Sequence, residues 1–138
     1  MLAPATDVPV IPVQLGTRRL PNEGLRLGTV RHLPRGVRKD RYAPENWFDV
    51  WLPNLAPSAA LVKTARAAVG DDKAWQRFAV RYRAEMRRPE TARVLELVAA
   101  LSRLTNISVG CYCENPRYCH RTILIELLAE RGATVRRS

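Results

Sequence analysis

The feature that most constrains the fold is a predicted strand followed, after a short polar segment, by a predicted helix. The strand covers residues 107–112 and the helix covers residues 122–131. Such a junction is typical of an α/β fold, in which strand C-terminal ends and helix N-terminal N–H groups face one crevice. Residues 111–121 hold all three cysteines of the chain, one of its two histidines and two arginines. We therefore expect the functional site at this junction.

Three more extended segments are predicted. Residues 10–16 and 25–30 are expected to form a pair of neighbouring strands, because a turn signal separates them. Pro12 is compatible with an edge strand. Residues 133–136 are a candidate for a final short strand. By the strand period of two, one face of the second strand is expected to carry Leu25, Leu27 and Thr29.

Three helices are predicted between residue 58 and residue 104. Ser58 is expected to cap the first helix, which Gly70 ends, and Asp71 caps the second. Pro89 lies where the first turn of the third helix accepts a proline. Apolar side chains at helical spacing predict core-facing stripes. They are Trp75, Phe78, Ala79, Tyr82 and Met86 in the second helix, and Val94, Leu97, Val98, Leu101 and Leu104 in the third.

Together these elements predict one α/β domain over residues 1–138. We expect a small, mostly parallel or mixed sheet with about four helices packed on it, and a tail at residues 1–9 without the pattern of a targeting signal. No apolar run approaches the roughly 18 residues that a membrane span needs. Three clustered cysteines are not typical of a secreted disulfide framework, which favours a cytoplasmic location.

The chain is strongly basic, with a net charge of +10 from twenty arginines, three lysines and thirteen acidic residues. A surface of this kind attracts phosphates and polyanions. The partner expected first is a small anionic ligand. The alternative is a nucleic-acid-binding module that uses an arginine face continuous over the helices, and its residues would be Arg77, Arg81, Arg87 and Arg88.

The junction residues suggest thiol chemistry. The positive end of a helix dipole lowers the pKa of a nearby thiol, so Cys119 is a candidate nucleophile or redox thiol, with His120 as its candidate base. Cys111 is a candidate resolving thiol or ligand contact. Core packing is the competing interpretation, since Cys119 precedes Ile123 and Leu127 at helical spacing. Whether the chain is an enzyme stays open at this point.

A metal site is the second chemical alternative. Cys111, Cys113, Cys119 and His120 supply four ligands, enough for tetrahedral zinc. Two observations count against it: the spacing is not a familiar zinc pattern, and adjacent residues such as Cys119 and His120 point about 100° apart on a helix. A phosphatase-like Cys-x5-Arg loop is excluded, because Cys113 lies eight residues before Arg121. No cofactor is indicated.

Several of these motifs together resemble the bacterial domain of unknown function 488 family. One is the Cys-x7-Cys-His-Arg motif, another is an Arg-x-x-Pro-Arg-Gly loop, and a third is an aromatic helix. In this sequence they are Cys111, Cys119, His120 and Arg121, then Arg31, Pro34, Arg35 and Gly36, then Phe78, Tyr82, Glu85 and Met86. The similarity runs from about residue 31 to residue 132. The chain differs from many members in carrying Cys113 in place of an acidic residue.

The resemblance implies a compact α/β domain with the Cys-His-Arg turn at the end of a strand, and it assigns no reaction. It also implies that Arg31 and Arg35 approach the turn at Cys119. With Arg121 they would form a basic pocket suited to an anionic, phosphate-bearing ligand. The leading hypothesis is therefore a basic Cys-His-Arg crevice that binds such a ligand.

Overall fold

A computed structural model describes residues 8–137 and has the predicted α/β architecture. Its four strands form one parallel sheet in the order β1-β4-β2-β3, and they are β1 (Ile11–Gln14), β2 (Leu25–Gly28), β3 (Val50–Trp51) and β4 (Ile107–Cys111). The α-helices are α1 (Ala59–Ala67), α2 (Asp72–Met86), α3 (Pro89–Leu101) and α4 (His120–Glu130). Short 3-10 helices lie at Lys39–Arg41, Pro53–Leu55 and Pro116–Tyr118.

Strand β4 is one of the two inner strands of the sheet, and all five of its residues are buried. It pairs with β1 on one side and with β2 on the other. The prediction that β1 and β2 are neighbours is therefore wrong. A strand buried on both faces takes a central position in a parallel sheet, and β4 is the strand whose sequence tolerates this. Gly110 allows the side chain of Leu15 to pack closely against β4, because a Cβ at this position would lie 2.2 Å from Leu15 Cδ2.

The core has two buried clusters. The larger one packs the helices against the sheet, with Phe78, Tyr82 and Leu124 on the helices and Val109 on β4. The second cluster joins the β1 side chains to Phe48, and it contains Cys111 and Cys119. Cys111 and Cys119 are therefore partly core residues, as the competing interpretation expects, although both also line the pocket described below.

The helix caps are confirmed. The side chain of Ser58 accepts a hydrogen bond from the Leu61 backbone N–H at 3.3 Å, and that of Asp71 accepts one from Ala74 at 3.0 Å. The apolar face of α2 is buried as predicted. The stripe expected on α3 is partly wrong, since Leu97 is 58% exposed. Leu101 is exposed as well, and the buried residues of α3 are Leu95, Val98 and Ala99.

The ends of the chain differ in part from the prediction. In place of a final strand at residues 133–136, one isolated parallel bridge joins Val135 to Val10. Residues 1–7 of the predicted tail lie outside the described residues, so the tail stays a prediction. Within residues 8–137, no helix combines the length and apolarity needed to cross a membrane.

A buried ion pair between Glu23 and Arg26 holds the loop between β1 and β2 against the sheet. Leu25 is 41% exposed while Arg26 is fully buried, which differs from the face expected for β2. The Arg26 guanidinium binds both carboxylate oxygens of Glu23 and donates to the carbonyls of Thr17 and Asn46. Ser108 of β4 donates to Glu23 at 3.0 Å. The polar groups of this cluster are thereby satisfied, which makes their burial tolerable.

Replacing Arg26 with methionine is expected to lower the free energy of unfolding by about 3–5 kcal/mol, because Glu23 would stay buried without its partner. Urea unfolding measures this. Arg38→Met is the matched control, since the Arg38–Asp40 pair is 83% and 62% exposed. The control should unfold like the wild type. Equal stability of Arg26→Met and Arg38→Met would contradict the role of the pair.

Candidate functional site

The carboxyl ends of β4 and β2 meet at one edge of the sheet, where the predicted junction lies. Cys111 is the last residue of β4, and Thr29 follows β2 directly. Pro116 starts a 3-10 turn rather than α4, and Cys119 is extended, with φ −132° and ψ 135°. Cys119 is thus the N-cap residue of α4, which begins at His120. The junction is confirmed, and the helix begins at His120, two residues before the predicted start at residue 122.

The extended conformation of Cys119 brings the sulfur atoms and the imidazole together. One ligand atom each of Cys111, Cys119 and His120 lies within 4.8 Å of the others. The sulfur atoms of Cys111 and Cys113 are 3.7 Å apart, as expected for two residues on one side of an extended segment. Cys111, Cys119 and His120 are buried, while Cys113 is exposed. These four residues are called the Cys-His cluster below.

His120 is held in one orientation by the main chain after β2. Its Nε2 atom lies 2.6 Å from the carbonyl oxygen of Thr29. A carbonyl oxygen only accepts hydrogen bonds, so Nε2 carries the proton and Nδ1 has the free lone pair. The edge of the imidazole packs against the Tyr82 ring, with 5.5 Å between centroids. His120 therefore presents Nδ1 as its chemically available atom.

The protonation states follow from burial and from contacts within the cluster. Burial lowers the pKa of His120 to about 4, so the imidazole is neutral near pH 7 and is a weak base. Hydrogen bonding with Cys113 and with Cys119 lowers the pKa of Cys111. Burial and the neighbouring thiols raise the pKa of Cys119, and contact with Cys111 raises that of Cys113. The cluster therefore favours a negative charge on one sulfur rather than on all three.

Arg121 is placed beside the cluster and is occupied by the protein itself. It is buried and donates to the carbonyl of Cys113 at 2.6 Å and to Cys119 Sγ at 3.4 Å. A third contact reaches the carbonyl of Glu114. Arg121 thus holds the loop after β4 and places positive charge next to a sulfur. It does not line the pocket beside the cluster, so a direct ligand contact from Arg121 stays a prediction.

A pocket of about 300 Å³ opens beside the Cys-His cluster and is called the Cys-His pocket. The buried Cys119 and His120 form its inner end, and the exposed Arg66 and Cys113 lie nearer its mouth. Its walls are mainly apolar and include Val62, Ala65, Val69 and Phe78. This combination of apolar walls and a few converging polar groups is typical of small-ligand sites.

The arginines expected at the site are divided between two depressions. Arg31 lines the Cys-His pocket, and its guanidinium donates to the carbonyls of residues 53, 56 and 57. Arg35 lines an adjoining depression instead. Arg66 of α1 lines both, and the sequence analysis missed it. Nothing local in the sequence distinguishes Arg66 from the other exposed arginines, because only the tertiary packing of α1 brings it to this pocket.

The neutral state of His120 predicts a pH-dependent stability in metal-free protein. The folded pKa of His120, about 4, lies below the unfolded value of 6.5, so the unfolded state binds more protons between these values. Stability should therefore fall as the pH drops from about 6.5 towards 4, with His120 accounting for about 2–3 kcal/mol at pH 4.5. Urea unfolding at a series of pH values, with a chelator present, measures this pH dependence. The His120→Asn variant should lack the part of the pH dependence that His120 contributes. His32→Asn is the control and should keep it, whereas parallel pH profiles of wild type and His120→Asn would contradict the prediction.

Comparison with known protein families gives a match over most of the chain. Residues 10–132 match a family model described as the active DUF488-N3 subclade. The match extends the resemblance seen in the motifs towards the N-terminus, so that it includes β1 and β2. No curated protein and no solved structure matches the chain. The chain belongs to the domain of unknown function 488 family, in its DUF488-N3 subclade.

Proposed function

We propose that the chain is an enzyme that binds a small ligand with an anionic, phosphate-like group in the Cys-His pocket and acts on it at the inner end. One observation carries this proposal. Two sulfur atoms and an imidazole nitrogen lie within 4.8 Å of one another among the residues that line a mainly apolar pocket. Reactive groups concentrated in a concave site are the usual arrangement of an active site. The description of the subclade as active is in keeping with this.

The anionic group of the ligand is assigned to the arginines of the pocket. Arg66 is exposed and makes no ion pair within residues 8–137, so its guanidinium is free to bind an anion. Arg31 is fixed by three carbonyls and adds a positioned positive charge. Guanidinium groups bind phosphates through paired N–H donors. The net charge of +10 favours the approach of such a ligand.

The body of the ligand is assigned to the apolar walls. One part of the pocket is lined by Val62 and Ala65 of α1 and by Val69, which follows this helix. Another part is lined by the Phe78 ring. A flat or aromatic group fits a pocket of about 300 Å³ with such walls. The substrate class is therefore a small molecule with an apolar ring and a negatively charged group.

The chemistry is assigned to the Cys-His cluster. Cys119 keeps its role as the candidate nucleophile. The Arg121 N–H is directed at its sulfur and would stabilise a thiolate, whereas burial raises the pKa of the Cys119 thiol and opposes its ionisation. His120 is a weak candidate for the general base, because its imidazole resists protonation. Cys111 shares the inner end, where hydrogen bonding lowers the pKa of its thiol. Which of these sulfur atoms reacts stays a prediction.

The nucleic-acid alternative has less support. Arg77, Arg81, Arg87 and Arg88 are exposed, as that alternative requires. Single strands are usually bound by stacking on exposed aromatic rings, however, and Trp75 of α2, the helix that carries Arg77 and Arg81, is stacked on Phe78 with 4.6 Å between ring centroids. The pocket beside the Cys-His cluster is the more specific feature, so the binding of a small ligand is the function proposed.

Phenyl phosphate is a suitable probe of the proposal, because it combines an aromatic ring with a phosphate. We expect it to bind the wild-type protein with one-to-one stoichiometry in isothermal titration calorimetry. Arg66→Ala should weaken the affinity about tenfold, which corresponds to the loss of one charged hydrogen-bonding contact.

Arg93→Ala is the matched control, since Arg93 is an exposed arginine of α3 that does not line the Cys-His pocket. It should bind phenyl phosphate like the wild type. Equal weakening in both variants, together with a steep loss of affinity in added salt, would instead indicate nonspecific binding to the basic surface. Absence of binding to the wild type would also contradict the proposal.

Bound phenyl phosphate should protect Cys113 from iodoacetamide. The exposed thiol of Cys113 lines the pocket, so a ligand there blocks the approach of the reagent. At a probe concentration ten times its Kd, the rate of alkylation should fall about tenfold, by simple mass action. Peptide mass spectrometry measures the rate at this cysteine. An unchanged rate at saturating probe would place the probe outside the pocket.

A further inference from the structure

We propose that the Cys-His cluster is a binding site for a soft divalent metal ion, with zinc as the ion that the donor set favours. Cys111, Cys119 and His120 would be the fixed ligands, and Cys113 the exchangeable fourth ligand that faces the pocket. The inference rests on the function proposed above, because the metal would be the reacting centre of the same pocket. Thiolate and imidazole donors select zinc among the common divalent ions.

The spacing of the sulfur atoms agrees with tetrahedral coordination. With a Zn–S distance of about 2.3 Å, the edge of a tetrahedron of sulfur ligands is about 3.8 Å. The Cys111 and Cys113 sulfur atoms are 3.7 Å apart. One donor atom each of Cys111, Cys119 and His120 lies within 4.8 Å of the others. The close approach of three donor atoms and the Cys111–Cys113 separation are therefore compatible with four ligands around one ion.

The conformation of Cys119 removes an objection that the sequence raised. Two adjacent residues on a helix point about 100° apart and do not easily share an ion. Cys119 is extended and caps the helix, with only His120 inside it. The change of backbone conformation between the two residues lets their side chains converge on one point, which accounts for the short distance between their donor atoms.

The surroundings of His120 are those of a metal ligand. A histidine that binds a metal usually donates its other ring N–H to a carbonyl or carboxylate, which fixes the ring and its tautomer. The Nε2–H of His120 donates to the Thr29 carbonyl at 2.6 Å, so the lone pair of Nδ1 is the one available to an ion. Thr29 Oγ1 donates in turn to the Gly110 carbonyl at 2.9 Å, which ties this support to β4.

Arg121 supplies the charge that such a centre needs. Three thiolates and one divalent ion leave a net charge of −1 in a mostly buried place. The Arg121 guanidinium donates to Cys119 Sγ at 3.4 Å and to the Cys113 carbonyl at 2.6 Å. It thus offsets the excess negative charge and holds the loop that carries the fourth ligand. Only Cys113 of the cluster is exposed, so exchange with a pocket ligand would take place at its corner.

Cobalt(II) is the probe for this site, because thiolate ligands give it an intense near-ultraviolet charge-transfer absorption. We expect reduced, metal-free wild-type protein to take up one Co²⁺ per chain with this band, and one equivalent of Zn²⁺ to displace it. Cys119→Ser and His120→Asn should lose stoichiometric binding. Cys113→Ser should still bind, with the band reduced by about one third, since one of three sulfur ligands is replaced by a harder oxygen.

His32→Asn is the matched control, because His32 lines the same pocket outside the cluster, and it should bind Co²⁺ like the wild type. Circular dichroism establishes whether each variant is folded. If Cys119→Ser and His120→Asn unfold, the comparison of the wild type with Cys113→Ser, a change at an exposed residue, still tests the metal site. No uptake by the wild type, a bound ion without the sulfur band, or an identical band in Cys113→Ser would overturn the metal site, as would a disulfide that persists under reducing conditions.

The outcomes separate this inference from the function on which it rests. Binding of phenyl phosphate to metal-free protein, with no uptake of cobalt, would leave the small-ligand pocket in place and reject the metal. Uptake of one cobalt ion without binding of phenyl phosphate, in either the metal-free or the loaded protein, would support the metal site and reject the proposed ligand class.

Discussion

The position of β4 between β1 and β2 is the constraint on which the rest of the structure depends. Because β4 pairs with both strands in parallel, its carboxyl end lies beside the carboxyl end of β2. Cys111 closes β4, and Thr29 follows β2, so a thiol and the carbonyl that anchors His120 come to the same edge. The helix that starts at His120 then places its first residue against both. Without the central position of β4, the cluster would not form.

Two further devices keep this edge in place. The buried Glu23–Arg26 pair reaches Ser108, near the beginning of β4, and ties the loop before β2 to the sheet. Arg121 holds the loop at the other end of β4, where it donates hydrogen bonds to the carbonyls of Cys113 and Glu114. Both guanidinium groups are buried and are satisfied by the protein. Part of the arginine content of this chain therefore stabilises the fold instead of attracting anions.

Much of the fold could be predicted from local patterns. The caps at Ser58 and Asp71 and the α2 face follow from hydrogen-bonding capacity and helical periodicity, which act over a few residues. The order of the strands could not, because it depends on which strand is buried on both faces. The burial of Arg26 does not follow from local patterns for a related reason. Its carbonyl partners at residues 17 and 46 are distant in the sequence, as is Ser108, which supports Glu23.

The location of the Cys-His cluster could be predicted from the sequence, and its geometry only in part. The clustering of the cysteines with His120 and Arg121 was enough to indicate the junction. The extended backbone of Cys119, however, depends on the 3-10 turn that starts at Pro116, and a helical assignment of Cys119 made a shared metal ion seem unfavourable. Arg66 came to the pocket through tertiary packing alone, and Arg121 was taken up by internal hydrogen bonds.

The central claim is that the Cys-His pocket binds the anionic ligand beside its cluster of thiols and imidazole. A crystal structure of the protein with phenyl phosphate tests it most directly. The account predicts the phosphate within hydrogen-bonding distance of Arg66 and the ring against Val62 and Phe78, next to the sulfur atoms. Phenyl phosphate bound only among the exposed arginines of α2 and α3, with the pocket empty, would contradict it.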